Sequence, residues 1–263
     1  MSVFSQLDTL GNPAAVCFLN SNEFSDSIFL QKIAKKINIS EVTFIHEVED
    51  DFFLRWFSPL KEVDICGHGT IAAFELLTSK GFCSNDEWVV LKSKKYILKL
   101  RRFSQKSTII LQLPVFNLLE IEMSTLSEII DFSFVKSFSS TKLDYIVEID
   151  SLDKLRRVSI DFNLLANMQR RGLIACFADF NSNKIYYRYF CPKLGFNEDF
   201  GTGSAFSTIY PFLSKRLDFS NKISFSQESL RKSEGFVTKI ENEDYIAIET
   251  NVSPYTMKTI EID

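Results

Sequence analysis

Two short stretches carry residue types from which a reaction could be built. Asp64-Ile65-Cys66-Gly67-His68-Gly69-Thr70 sets a thiol and an imidazole in a Gly-x-Gly loop, and Glu198-Asp199-Phe200-Gly201-Thr202-Gly203-Ser204 sets two carboxylates and two hydroxyls around another. Glycine lets a backbone come close to a ligand. Each loop runs into an apolar stretch that predicts a helix, and a helix start presents unpaired N–H donors backed by the positive end of its dipole. Two such loops facing each other would give a cleft with anion-binding donors on both walls. A further carboxylate, Glu41, stands at the mouth of the β-branched and aromatic run 42–45.

The elements that must position these groups are stated twice. Arg55-Trp56-Phe57-Ser58-Pro59 precedes the first loop and Arg188-Tyr189-Phe190-Cys191-Pro192 the second, 133 positions later (188 − 55) in a chain of 263. A period of about half the chain predicts two similar halves. Each copy reads as strand, proline-set turn, loop and helix. Hydrophobic periodicity predicts strands over 14–19 (a buried run), 40–45, 52–57, 88–91, 96–103 and 108–113 in the first half. An amphipathic helix is predicted over 25–37, with Ile28, Leu30, Ile33, Ala34 and Ile37 inward and Ser25 or Asp26 as cap, and another over 70–80. The second half reads as helices over 124–130, 162–168 and 204–217, with strands over 145–149, 173–178, 184–190, 222–226, 235–241 and 245–249.

The totals exclude several classes. Net charge is −4, from 30 basic and 34 acidic residues, with no long block of like charge, so nucleic acid is not an expected partner. No run of about 18 apolar residues suggests a membrane span, and positions 1–10 lack the pattern of a signal peptide. Five scattered cysteines without a C-x-x-C pair predict neither a disulfide framework nor a zinc site. A cytoplasmic location fits. Four of only nine glycines fall in the two loops, which marks those loops as places where backbone geometry matters.

Taken in order, several motifs carry a resemblance. They are Gly11-Asn12-Pro13-Ala14-Ala15, Ile39-Ser40-Glu41, the two Arg-aromatic-Phe-x-Pro signatures with their loops, Leu111-Gln112-Leu113-Pro114 and Gln227-Glu228-Ser229-Leu230-Arg231. Together they resemble the PhzF family of phenazine-biosynthesis-like isomerases over nearly the whole chain. The resemblance implies a diaminopimelate-epimerase-like fold, α/β in the α+β sense. Two pseudo-symmetric domains, each a β-barrel-like sheet around a central helix, would enclose the active site. The expected division is 1–116 and 117–263, with the last strands able to return to the first domain. A homodimer with no metal and no organic cofactor is implied as well.

The same resemblance makes Glu41 the acid/base of a proton-shifting isomerase acting on a small carboxylate-bearing metabolite. A carboxyl with a raised pKa suits that task. His68 and Asp199 would hydrogen-bond the substrate and help place the migrating proton. Gly67, Gly203 and Ser204 would supply backbone donors to a carboxylate or oxyanion, and Asn12 would shape the entrance. Related epimerases use one cysteine per half; here Cys66 holds the first position, while Phe200 aligns with the second, which disfavours two-base chemistry. The family Pro and His of the second loop are replaced by Phe200 and Phe206. Those two rings leave open a catalytically inactive protein that binds a small anion or a partner on the same scaffold, if either closes the cleft.

Overall fold

In the computed structural model, residues 1–5, 9–103, 108–241 and 244–259 are described. Almost every strand joins one 15-stranded sheet, and its order explains the sequence repeat. At its middle Ile109–Pro114 pairs antiparallel with Tyr245–Thr250. Outward from that seam the first half runs Ile97–Arg102, Val89–Ser93, Asp51–Phe57, Val42–Val48, Ala15–Phe18. The second half runs Ser233–Lys239, Ile223–Gln227, Lys184–Cys191, Leu173–Asp179, Tyr145–Ile149, with Val135–Ser140 added at the edge. In both directions the pairings read antiparallel, antiparallel, parallel, antiparallel, parallel.

A parallel pair needs a long crossover, and helices supply it. The crossover from Asp51–Phe57 to Val89–Ser93 contains the helix Gly67–Ser79, and that from Lys184–Cys191 to Ile223–Gln227 contains Phe206–Leu213. The first eight residues of Gly67–Ser79 are all buried, and the helix packs against both Ala15–Phe18 and Ile109–Pro114, so it lies inside the folded sheet. A helix apolar on all sides can have no other place. The second helix is shorter than the predicted 204–217. It opens as a 3-10 turn, Gly203–Ala205, and contains Pro211, which cannot donate to the carbonyl of Ser207. That carbonyl accepts instead from Phe116 N at 3.1 Å, which ties the end of the first half to the second helix.

The amphipathic helix is Ser27–Ile37, capped by Asp26, whose carboxylate accepts from Ile28 and Phe29 N–H, and closed by Asn38 at φ 53°. Leu30, Ile33 and Ala34 bury against Val42, Phe44 and Phe57, whereas Ile28 is 83% exposed and takes no part. Two expectations fail for physical reasons. Residues 124–130 form a short 3-10 turn, Met123–Thr125, and further turns rather than a helix, although Leu126, Ile129 and Ile130 still reach the core. The run 14–19 is not a fully buried strand. It supplies Ala15–Phe18 at the free edge of the sheet, with Phe18 42% exposed.

The chain crosses between the halves at Gly11. Its N–H donates to Lys232 O and Leu10 N–H to Arg231 O, each at 3.0 Å, and its φ is +62°. A Cβ there would stand 2.3 Å from Val3 O, a backbone atom that cannot swing away. Gly11→Ala is therefore expected to destabilise the protein by about 2–4 kcal/mol in urea unfolding. It should also disturb Asn12, which this turn delivers to the site.

Candidate active site

The two helix starts meet. A Cβ on Gly67 would lie 3.3 Å from Ser204 N and 3.6 Å from Gly203 Cα, so the N-terminal ends of the two central helices abut across the join of the halves. Each is aimed by the same device. Arg55 forks onto Glu62 at 2.8 and 2.9 Å, and Arg188 forks onto Glu198 at 2.8 Å through both nitrogens. These bidentate pairs clamp the short strands Glu62–Val63 and Phe196–Asp199 against the strands before them.

The register also corrects the alignment of the loops. Trp56 pairs with Val63 and Tyr189 with Asp199. The offset is thus 133 at the strands (189 − 56) but 136 after the turn (199 − 63), because the second turn is three residues longer. The residue matching Cys66 is Thr202, not Phe200, and both precede their helices as caps. Neither Phe200 nor Phe206 lines the pocket. Phe206 lies fully buried beneath it, packed on Tyr187 and Phe225 at 5.4 and 4.6 Å between ring centroids. The cleft is not closed by either ring.

Glu41, His68, Asp199, Gly67, Gly203 and Ser204 all line one enclosed pocket, with Ser40, Cys66, Arg171, Tyr189 and Cys191 among its other walls. Asn12 stands directly behind. Its amide donates to Asp199 Oδ1 at 2.9 Å and Gly201 O at 3.0 Å, which fixes the side chain's orientation. The same nitrogen is 3.4 Å from His68 Nδ1. On the ring's other side, Nε2 lies 3.6 Å from Glu41 Oε2 and 3.4 Å from Ser40 Oγ. Thr202 Oγ1 donates to Asp199 Oδ2. The Gln227 amide ties the loop together, accepting from Thr202 N at 2.6 Å and donating to Asp199 O at 2.7 Å. Free space at the centre is about 10 Å³, what one water needs.

Burial governs the charges. It pushes the Glu41 carboxyl from 4.5 up to about 8, helped by the neighbouring Asp199 and opposed by Arg171 and by hydrogen bonds from Ser40 and Cys66. Burial also lowers His68, against the pull of Asp199. Despite their close approach, then, Glu41 and His68 are a neutral pair near pH 7 rather than an ion pair. The Cys66 thiol is pushed well up, by burial first and Glu41 next, and its sulfur accepts from Gly69 N at 3.3 Å. It is a protonated cap, not a thiolate base.

Sequence reasoning missed Arg171. This buried guanidinium donates to both oxygens of Asp144, at 3.1 and 2.7 Å, and Tyr189 OH donates to the same carboxylate at 2.8 Å. Burial alone would lower its pKa, and Asp144 more than reverses that, so the charge is permanent. Its remaining hydrogens reach Ile65 O at 3.4 Å and Ser204 Oγ at 3.3 Å, one on each side of the join. No local pattern around Arg171 announces this, since Ile65 lies 106 residues away. Among the described residues one cluster offers metal-ligand atoms, Glu41, Cys66 and His68, all within 4.8 Å of one another. Its oxygen, sulfur and nitrogen donors are of the kind zinc accepts, but a cation would have to displace the protons of both acids.

Residues 1–250 match the PhzC-PhzF family, described as phenazine biosynthesis-like protein. The chain belongs to that family. A relative from Halalkalibacterium halodurans, described as an uncharacterized isomerase, is 32% identical over 211 residues, covering 79% of this chain and 78% of the relative. A putative PhzC/PhzF protein from Clostridium difficile superposes with a TM-score of 0.78 at 23% identity, covering 99% of this chain and 97% of that one. A probable proline racemase from Agrobacterium radiobacter does so with a TM-score of 0.63 at 11% identity, covering 91% and 83%. The fold is the mixed α+β, epimerase-like architecture with one large sheet that PhzF proteins share with such racemases. No helix among the described residues is long and apolar enough to cross a membrane.

The raised pKa of Glu41 has a signed consequence for stability. Below pH 4.5 the carboxyl is protonated folded or unfolded and nothing is lost. As pH rises the unfolded chain ionises freely while the folded one resists, so stability falls until about pH 8, where the folded carboxyl ionises too. Glu41→Gln removes this penalty. It is expected to match wild type at pH 4 and exceed it by on the order of 4 kcal/mol at pH 8.5 in urea unfolding.

Proposed function

We propose that this PhzF-family protein is an isomerase that moves a proton between carbons of a small carboxylate-bearing metabolite, with Glu41 as single acid/base and no cofactor. The observation that carries the reading is the buried Glu41 carboxyl, poised at about 8, inside a pocket walled by two opposed helix starts. The abutting N-terminal ends favour an anion, and they offer N–H donors where a substrate carboxyl would gain negative charge.

In this mechanism the ionised Glu41 takes a proton from the carbon next to the carboxyl group. The C–H electron pair moves onto that group's oxygen, facing the donors of Gly67, His68 and Ser204. Protonated Glu41, whose acidic proton exchanges with solvent in a fraction of turnovers, then delivers a proton to a carbon further along the conjugated system, and the pair flows back. Atoms and charge balance, and the product is an isomer. His68, neutral and directed by Asn12, positions Glu41 from one side, while Asp199, held by Asn12 and Thr202, faces the other end of the path. Thr202 in the place of a second cysteine supports one base rather than two, because a hydroxyl donating to Asp199 has no means of abstracting a carbon-bound proton. Homodimeric assembly belongs to the same proposal.

Screening small carboxylates by thermal shift would supply a substrate. In deuterated solvent wild type should then wash deuterium into it, and Glu41→Gln should bind it nearly as well with exchange lowered by at least about 10³-fold. Unchanged exchange in that variant overturns the reading. Since the free enzyme must hold Glu41 ionised to begin, kcat/KM is expected to climb about tenfold per pH unit below pH 8 and level off above it. His68, whose pKa is lowered, adds no limb there.

A further inference from the structure

Immediately outside the enclosed pocket lies a second cavity of about 220 Å³, several times a water's share of about 30 Å³. The two spaces share three wall residues, Ile65, Arg171 and Leu194, so Arg171 faces both. The outer cavity spans the join of the halves and is strongly cationic. Besides Arg171 it is lined by Lys61, Lys142, Arg170 and Lys193. Its two carboxylates are spoken for by cations elsewhere, Glu62 by Arg55 and Asp64 by Lys95. Among the described residues the four outer cations have no carboxylate within ion-pair distance.

Their other contacts do not neutralise them. Lys193 Nζ donates to Met168 O, Lys142 Nζ stands 4.2 Å from the Phe116 ring centroid, and Arg170 Nε is buried with no hydrogen-bond partner. The Lys193 ammonium is held below its usual pKa, by burial first and by the like charge of Lys61 second. Like charges gathered in a concavity cost free energy unless an anion joins them, and a concave site concentrates their field.

We propose that this outer cavity binds a second anionic group, phosphoryl or carboxylate, carried at the far end of the substrate, with Arg171 standing between it and the reacting end. The inference rests on the reading that the enclosed pocket is where the substrate reacts. It narrows the substrate to a molecule with two separated anionic groups, one at the helix starts and one among Lys61, Arg170 and Lys193. A forked guanidinium and mobile ammonium groups suit either oxyanion.

The test needs no turnover, so its failure and that of the isomerase reading are separable. Thermal unfolding of wild type is followed with inorganic phosphate, succinate and acetate, each against sodium chloride at matched ionic strength. A dianion at about ten times its Kd should raise Tm by about 3 °C, and acetate by less. The variant Lys61→Ala/Lys193→Ala should keep the wild-type Tm within about 2 °C in chloride, as its changes are at exposed or half-buried positions, and should lose the dianion response at least fivefold. Calorimetric titration of phosphate into both proteins gives the same comparison without heating. A larger response to phosphate than to succinate assigns the group as phosphoryl, and the reverse as carboxylate. No response beyond chloride, or one the double variant retains, overturns the proposal.

Discussion

Two helix starts pointed at each other are an electrostatic problem, and the site is organised around its solution. Each end carries about half a positive charge, so their contact across Gly67 and Ser204 is unfavourable by itself. Asp199, beside the second start, and Asp144, fixed beneath Arg171, place negative charge within reach. Burial takes Glu41 out of water, and Asp199 beside it makes a further negative charge costlier still. Glu41 therefore keeps its proton to about pH 8, and burial and crowding together make an ordinary carboxyl into a group able to give and take a proton near neutrality.

The doubled scaffold makes the arrangement possible, and its small departures from symmetry make it asymmetric. Both halves use the same pairing order and the same Arg–Glu fork. Three extra residues in the second turn then bring Thr202, rather than a thiol, opposite Cys66. Glu41 itself comes from outside either loop, at the start of Val42–Val48, in a strand whose counterpart carries no acid at the matching place.

The halves, the loops and the residues of the pocket were legible because each rests on a local signal: a repeated arginine–proline signature, glycines at helix starts, a serine–glutamate pair. What escaped rests on contacts distant in sequence. Arg171 sits in an unremarkable polar stretch, and its partners Asp144, Ile65 and Ser204 come from three separate segments. Pairing a Gly-x-Gly loop with its twin by residue count misplaced Phe200, since only strand register reveals where the extra residues lie. The run 14–19 looked buried because apolar residues alone do not distinguish a central strand from the last strand of a sheet. Residues 124–130 showed helical spacing of Leu126, Ile129 and Ile130, which tight turns can satisfy equally well.

The seam between Ile109–Pro114 and Tyr245–Thr250 bears on how the two halves are held together. It is the single strand pairing that joins the two halves into one sheet, and its partners are separated by more than half the chain. Within the first half one edge of Ile109–Pro114 has no strand beside it, and the strand that covers that edge belongs to the second half. The strand that seals it follows the other strands of the second half in chain order, and Val3 bridges to Val252 beside it. Without that pairing nothing in the sheet holds one half against the other, so the pocket between the two helix starts depends on a contact made across the whole chain.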